Sequence, residues 1–216
     1  MMMSSARGKP RSLPYARLAD PASYALPQVV RTSRLLLRPT AVDDAAALAE
    51  ARSESYAELF PWFHPVMGTP DQENDAQWQS ERLAQSAEAA RRRERLSYFA
   101  WAWGACVGAV DLVPLWRRGQ FRLSYWVRSS AAGQGYGAEA VNAMIRTAFE
   151  VLDARLVTTG HAAPNAASAR LAQKLGFRQI AQQPLGCELP YGLLVDGIAC
   201  AIEDIALLPP LNVSWG

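Results

Sequence analysis

The sequence predicts an α/β protein in which helices flank a single mixed sheet of about six to seven strands. One observation is a cluster of short segments with alternating apolar and polar residues in the middle of the chain, clearest at 121–128. Another is the helical pattern that follows, because the apolar residues between Val141 and Leu152 form one continuous stripe. Strands interspersed with amphipathic helices are typical of one sheet covered by helices.

The other elements are predicted from the same periodicities and from the residues that end them. Pro39 ends the first strand because proline lacks a backbone donor, and Gly176 closes the last helix at a position that favours glycine. The aromatic segment 60–65 contains two prolines and is predicted to be a loop. In chain order we predict strand 31–39, helix 44–54, loop 60–65, helix 70–95, strands 96–103, 105–112 and 121–128, a helix ending at 152, strand 155–160, helix 165–175, and strands 177–183 and 198–207.

Length, charge and cysteine content limit the class of protein. A chain of 216 residues is long enough for one well-buried domain, predicted over 29–208, with a mobile N-terminal extension at 1–28 and a C-terminal tail at 209–216. The formal net charge of +2 argues neither for nor against a nucleic-acid partner, and no apolar stretch reaches the roughly 20 residues of a membrane span. The three cysteines lack the spacing of a disulfide framework or a metal site. We therefore expect a cytoplasmic protein that binds no metal, nucleic acid or membrane.

The most informative motif is the run Ala-Gly-Gln-Gly-Tyr-Gly-Ala at 132–138, between a strand and the amphipathic helix. Its alternate glycines lack Cβ atoms and permit backbone angles that other residues avoid. Several amide groups can therefore converge on one point at a helix N-terminus, where donors are unpaired and the dipole is positive. Such a site binds phosphate or diphosphate.

Other motifs that bind phosphate or carry a nucleophile do not fit this run. No Gly-Lys-Ser/Thr follows, which excludes the usual metal–triphosphate loop, and the glycine spacing differs from the dinucleotide fingerprint. The serine hydrolase motif Gly-x-Ser-x-Gly does not occur. Taken alone, the run leaves open a turn without a ligand and a nucleotide-binding loop.

A second motif, Asn165-x-x-Ser168 followed by Leu-Gly-Phe at 175–177, makes the first one interpretable. With both motifs the sequence resembles the GNAT acetyltransferase superfamily, whose diphosphate loop follows the pattern Arg/Gln-x-x-Gly-x-Gly/Ala. The matching positions are Ala132, Gly135 and Gly137. Alanine therefore stands where the family has Arg or Gln, and a side-chain contact is lost while the backbone amides remain.

Three further segments make the resemblance specific to one group within the superfamily. The resemblance covers about residues 31–207. Residues 32–39, Pro61-Trp62 and residues 124–127 look like the RimJ/RimL group, which acetylates protein N-termini and some other amines. The resemblance implies the GNAT fold, in which a splayed strand pair holds acetyl-coenzyme A as co-substrate. The pantetheine arm would lie between the strand ending at Arg128 and the strand 155–160. The cofactor-binding residues implied are Trp126, Val127, Arg128, Gly133, Gln134, Gly135, Tyr136, Gly137, Ala138 and Asn165.

The resemblance also implies the catalytic residues. It places Ser168 beside the thioester as donor to the departing sulfur, with Asn165 contacting the pantetheine or the leaving group. Related enzymes use a glutamate after the Leu-Gly-Phe strand as general base, and Glu188 is the candidate in that region. Each residue keeps a structural alternative: Asn165 as a helix cap, Ser168 as a small buried contact and Glu188 as a solvent-facing residue.

The acceptor pocket is predicted at the aromatic segment. Trp62, Phe63 and His64 would form its wall, because this segment faces the acetyl end in the related fold. His64 and His161 are alternative bases, for which packing is the competing interpretation. The run Arg-Arg-Arg-Glu-Arg at 91–95 is typical of a solvated helix end, with an acidic partner such as ribosomal RNA as the alternative.

The function implied is direct transfer of an acetyl group from acetyl-coenzyme A to a primary amine. The first acceptor is a protein or peptide N-terminal α-amine, for example that of a ribosomal protein. A small-molecule amine, such as an antibiotic or polyamine, is the alternative acceptor. A GNAT-fold module that binds acyl-coenzyme A without catalysis is the alternative of another class, and a homodimer is left open.

Overall fold

The computed structural model describes residues 20–216. The helices are α1 Ala45–Glu54, α2 Tyr56–Phe63, α3 Pro70–Glu73, α4 Ala76–Arg91, α5 Tyr136–Arg146 and α6 Ala166–Lys174. The strands are β1 Val30–Arg31, β2 Leu36–Pro39, β3 Leu96–Ala102, β4 Ala105–Leu115, β5 Gln120–Val127, β6 Leu156–Ala162, β7 Arg178–Leu189, β8 Leu193–Ile202 and β9 Ser214–Trp215. They form one sheet in the order β7-β8-β6-β5-β4-β3-β2-β1-β9. The predicted mixed α/β sheet is confirmed, with nine strands rather than six to seven.

The two extra strands join the ends of the described chain. Val30 of β1 pairs with Trp215 of β9, so residues 209–216, separated in the prediction as a tail, contain an edge strand of the sheet. Residues 20–28 also contact the sheet: Tyr24 stacks on Trp116 with ring centroids 5.5 Å apart, and the Tyr98 hydroxyl donates to the Pro27 carbonyl. The predicted extension at 1–19 lies outside the described residues.

The sheet separates two apolar clusters. The larger one lies under α5 and α6 and buries Phe121 and Met144 completely. The smaller one lies under α1 and α4 around Phe99. Successive side chains of a strand point to opposite faces, and Tyr125 accordingly packs against the larger cluster and Trp126 against the smaller. Within residues 20–216, every helix is too short or too polar to cross a bilayer.

The predicted loop at 60–65 is wrong, since these residues complete α2 and a 3₁₀ turn at His64–Val66. Pro61 lies inside this short helix, where it removes one backbone donor. Burial of Leu59 and stacking of Tyr56 on Phe60 hold the helix in place. The predicted helix 70–95 is likewise two helices, because Asp75 caps α4 at Gln77 N and interrupts the run.

A buried ion pair ties α1 to the segment before α4. Glu73 is fully buried and accepts hydrogen bonds from Arg52 Nε at 2.9 Å, Gly68 N at 2.8 Å and Gln79 Nε2 at 3.1 Å. The Arg52 guanidinium lies 5.6 Å from the centre of the Trp126 ring. Burial alone would raise the pKa of Glu73, but the hydrogen bonds and the Arg52 charge hold that pKa below its usual value.

We expect Glu73→Gln to lower the free energy of unfolding by about 3 kcal/mol at pH 7, because Arg52 would stay buried without its counter-charge. The pKa of Glu73 is lower in the folded state. The stabilisation is therefore complete above the unfolded pKa of about 4.3 and is lost as the pH falls through the lowered folded value. Urea unfolding at pH 7 and at pH 3 measures both effects.

Glu88→Gln is the matched control for this experiment. Glu88 pairs with Arg91 and Arg92 on the exposed face of α4, where ion pairs add little to stability. This variant should unfold at the same urea concentration as the wild type. Equal stability of Glu73→Gln and wild type at pH 7 would contradict the role of the buried pair.

Candidate active site

Strands β5 and β6 are parallel neighbours that separate along most of their length. They pair only between residues 120–122 and 156–158. Beyond this point β5 stays paired with β4 as far as Val127, and β6 stays paired with β8 as far as Ala162. The facing edges of the two strands therefore carry backbone groups without a partner strand, which an extended ligand can satisfy. This is the splayed pair that the resemblance implies.

The gap between these strands opens into a cleft of about 1260 Å³. Its walls are formed by β5, β6, the glycine loop, α6, the end of α2 and the β7–β8 hairpin. This volume exceeds the usual 300–1,000 Å³ of a small-molecule pocket and leaves room for two substrates. The predicted site residues that line it are Trp62, Phe63, Trp126, Val127, Gly133, Gly135, Gly137, Ala138, Asn165, Ser168 and Glu188.

The glycine loop has the geometry of an anion cradle. Gly133 and Gly135 have φ values of +75° and +83°, which favour glycine, and α5 begins directly after Gly135. Among residues 20–216, no acceptor forms a hydrogen bond with the backbone amides of residues 133–138. Unpaired amides at a helix N-terminus fit a diphosphate, because they donate to its oxygens and the helix dipole favours its charge.

Gly137 lets this cradle approach the strand. A Cβ atom at this position would lie 2.7 Å from Cγ2 of Val127, which is closer than van der Waals contact permits. The first turn of α5 can therefore pack directly against the end of β5. As a result, the amides of the loop and the free edge of β5 face the same cleft.

Arg34 contacts the glycine loop, and the sequence did not indicate this contact. Its Nη1 donates to the Gln134 carbonyl at 3.0 Å and its Nε donates to Oε2 of Glu139 at 2.6 Å. The guanidinium also lies 4.8 Å from the centre of the Tyr136 ring. Arg34 thus contacts the loop without lining the cleft, and Ala132 stands at the position where the family has Arg or Gln. Nothing in the local periodicity indicates a partner a hundred residues away.

Four predicted site residues do not line the cleft: Arg128, Gln134, Tyr136 and His64. The Arg128 side chain pairs with Glu50 and Glu54, and its backbone N donates to Val107. The Tyr136 ring stacks with Arg34, and the Gln134 amide donates to the Ser130 carbonyl at 2.9 Å. His64 lies in the turn after α2 with its ring edge-to-face on Phe60.

The N-terminus of α6 brings two predicted residues into the cleft. Asn165 caps the helix, since its Oδ1 accepts a hydrogen bond from Ser168 N at 3.0 Å. The Ser168 hydroxyl lies 2.9 Å from the hydroxyl of Tyr125 on β5. The cap therefore fixes the backbone at Ser168, while the side chain reaches the splayed strand.

Two of the base candidates lie on strands β7 and β6, which flank β8 in the sheet. Glu188 is exposed on β7 opposite Leu194 of β8, and its side chain lines the cleft. His161 of β6 also lines the cleft, with Nδ1 at 2.9 Å from the Ala162 carbonyl. In the described part of the chain, no three His, Cys, Asp or Glu side chains are grouped as metal ligands would be.

A family model for the acetyltransferase (GNAT) domain matches residues 34–178. The chain belongs to the GNAT acetyltransferase family. Membership confirms the predicted acyltransferase activity and acetyl-coenzyme A as its donor. A comparison with curated proteins finds no significant match.

Solved GNAT structures share the fold of this chain at low sequence identity. RimJ of Mycobacterium smegmatis, in complex with coenzyme A disulfide, is 22% identical, with 82% of this chain and 87% of that chain covered and a TM-score of 0.75. RimL, a ribosomal L7/L12 α-N-protein acetyltransferase in complex with coenzyme A, is 16% identical (82% and 99% covered, TM-score 0.73). The microcin C7 self immunity acetyltransferase MccE, in complex with acetyl-CoA and AMP, is 17% identical (80% and 93% covered, TM-score 0.71).

Proposed function

We propose that this GNAT enzyme acetylates the N-terminal α-amine of a protein or peptide in a ternary complex. The observation that carries the proposal is the cleft itself. It is lined by glycine-loop residues with unpaired amides (Gly133, Gly135, Gly137 and Ala138), by the splayed strands, and by Ser168 and Glu188. A donor held along β5 would place its thioester between α6 and the β7–β8 hairpin. The acceptor then enters from the side of Trp62 and Phe63.

The chemistry of the amine favours an N-terminus as acceptor. Only the neutral amine has a lone pair with which to attack. An α-amino group with a pKa near 7.8 is about 14% neutral at pH 7, whereas a lysine amine with a pKa near 10.4 is about 0.04% neutral. The difference is roughly 350-fold before any base acts. An α-amine therefore needs less help from a base than a lysine amine does, and we assign this role to Glu188, an exposed carboxylate that lines the cleft.

Each part of the cleft has a role in this proposal. The amides of residues 133–138 hold the diphosphate, and the free edges of β5 and β6 hold the pantetheine. Ser168 donates a hydrogen bond to the sulfur that leaves, and Asn165 contacts the pantetheine through its free amide group. Glu188 accepts the proton that the amine loses. Trp62 and Phe63 pack against the first side chain of the acceptor.

The likeness to RimL and RimJ supports a ribosomal protein as the acceptor. RimL is a ribosomal L7/L12 α-N-protein acetyltransferase, and the fold that it shares with this chain covers 99% of the RimL chain. The open aromatic side of the cleft suits a peptide, because one end of an extended chain can enter while the rest stays outside. A small-molecule amine is the second candidate, favoured by the likeness to MccE.

A panel of acceptors tests the proposal by release of free coenzyme A thiol. At pH 7 we expect peptides with a free N-terminus to be acetylated with a kcat/KM at least 100-fold above that of Nα-blocked lysine peptides, because of the neutral fractions given above. Peptides copied from ribosomal protein N-termini should be the best of the panel. Matched Nα-acetylated peptides are the control and should release no thiol.

The other outcomes distinguish the alternatives. Faster turnover of polyamines or aminoglycosides than of any peptide would favour a small-molecule acceptor. Binding of acetyl-coenzyme A without thiol release from any amine would indicate a sensing module. Binding of ATP or NAD as tight as that of coenzyme A would indicate a nucleotide-binding loop.

A further inference from the structure

Tyr125 connects the splayed strand to the proposed catalytic serine. Its ring packs against the larger apolar cluster, and the residue lines the cleft between Ser124 and Trp126. In residues 20–216, the hydrogen bond recorded for its hydroxyl is the one to the Ser168 hydroxyl at 2.9 Å. Tyr125 is therefore the side chain that sets the environment of the Ser168 hydroxyl on the strand side.

Either hydroxyl could be the donor in this hydrogen bond, and the phenol of Tyr125 is partly buried. A buried tyrosine hydroxyl has one proton and requires an acceptor. Ser168 Oγ is an acceptor within reach, and our inference takes the direction in which the phenol donates to the serine. Burial also raises the pKa of Tyr125, which keeps the phenol protonated and able to donate.

This direction leaves the Ser168 proton free for the cleft. Serines in helices often donate to the carbonyl one turn earlier, but no such bond is recorded for Ser168 in the described chain. The Ser168 backbone is fixed by the Asn165 cap. A hydroxyl that accepts one hydrogen bond also becomes a better donor of the next.

We propose that Tyr125 is a positioning residue for acetyl transfer, which aims the Ser168 hydroxyl at the departing sulfur. This inference rests on the proposed function. Acetyl-coenzyme A supplies the thioester: the amine lone pair forms the N–C bond, the C–S bond breaks with its electron pair on sulfur, and Glu188 takes the proton lost from nitrogen. Ser168 donates its hydrogen bond to that sulfur, and Tyr125 keeps its own proton throughout. A thiol with a pKa near 8.5 leaves as a thiolate at neutral pH, so a hydrogen bond is sufficient help.

A double-mutant cycle on kcat tests the positioning role. Tyr125→Phe keeps the ring and removes the hydroxyl, and we expect kcat for a free N-terminal peptide to fall about fivefold to tenfold, as for loss of one hydrogen bond. The Kd for coenzyme A, measured by calorimetry, should change less than twofold. In the Ser168→Ala background, the same substitution should change kcat less than twofold, because no hydroxyl is left to aim.

A spectroscopic measurement on the free protein tests the contact independently of activity. The protein is labelled with 3-fluorotyrosine, and the ¹⁹F signal of Tyr125 is assigned by its loss in Tyr125→Phe. Ser168→Ala should shift this signal. Ser86→Ala, a change outside the cleft lining, should leave the signal in place.

Results of three kinds would overturn the inference. One is a fall in kcat from Tyr125→Phe that is equal in both backgrounds, which would indicate a structural role only. Another is no change in kcat from Tyr125→Phe in the wild-type background, or an unshifted ¹⁹F signal in Ser168→Ala. The third is a wild-type enzyme that releases no thiol with any amine, and this result alone would also remove the proposed function.

Discussion

Substitution of Gly135 by valine should raise the Kd for coenzyme A at least 100-fold. Gly135 precedes the first residue of α5 with φ at +83°, a conformation that a β-branched residue adopts only with strain. The loop would have to rotate, and its amides would no longer converge. Loss of two hydrogen bonds to a charged group, at about 1.5–3 kcal/mol each, corresponds to about 10²-fold or more in Kd. Isothermal titration calorimetry measures the change.

Gly104→Val is a matched control for this experiment. Gly104 has the same φ of +83° in the turn between β3 and β4, and a Cβ there meets no atom within 4 Å. The backbone strain is therefore similar, but the turn lies outside the cleft lining. This variant should lose stability and bind coenzyme A with the wild-type Kd. If both valine variants bound coenzyme A as the wild type does, the glycine loop would not be the diphosphate site.

Removal of the Ser168 hydroxyl should lower kcat by about 10²- to 10³-fold, the range typical for loss of a positioned proton donor. The Kd for acetyl-coenzyme A should stay within twofold of wild type, because the diphosphate and pantetheine contacts lie elsewhere in the cleft. Single-turnover thiol release with a free N-terminal peptide measures the chemical step directly. The effect should therefore appear in turnover and not in binding.

Ser86→Ala is the control for the serine experiment. The Ser86 hydroxyl lies 3.2 Å from that of Thr40, and Ser86 does not line the cleft. Its kcat and Kd should match those of the wild type. A wild-type kcat in Ser168→Ala would remove Ser168 from the mechanism and leave the role of cleft donor to another group.

Elements with a strong local signal could be predicted from the sequence. The apolar stripe from Val141 to Leu152 predicted one helix, which is observed as α5 and the π turn that continues it. The prediction was possible because one face of this segment is buried against the sheet. The Asn165 cap and Gly176 bounded α6 for the same local reasons, with Gly176 at φ +78°. The unpaired amides of the glycine loop could be predicted from the positions of three glycines alone.

Elements that depend on distant partners could not be predicted in this way. Strands β1 and β9 have two residues each and exist because they pair with each other at the edge of the sheet. Strand β8 begins at Leu193 rather than at 198, because its register is set by β7 and β6. A two-residue strand has no periodicity, and a register shift leaves the apolar pattern almost unchanged.

The same distinction applies to the candidate site, where contacts between residues distant in the sequence could not be predicted. Arg34 reaches the glycine loop from the first strands, and Tyr125 reaches Ser168 from another element. Neither contact has a signature in sequence spacing. The pairing of the Arg128 side chain with Glu50 and Glu54 is a further contact between residues that are distant in the sequence.

The central claim is that a diphosphate binds the unpaired amides of residues 133–138. A titration of ¹⁵N-labelled protein with coenzyme A, followed by amide NMR spectra, tests it most directly. We expect the largest shifts at Gly133, Gly135 and Gly137, with smaller shifts along β5 and none at Gly104. Saturable binding of coenzyme A that leaves these three amides unshifted would contradict the account.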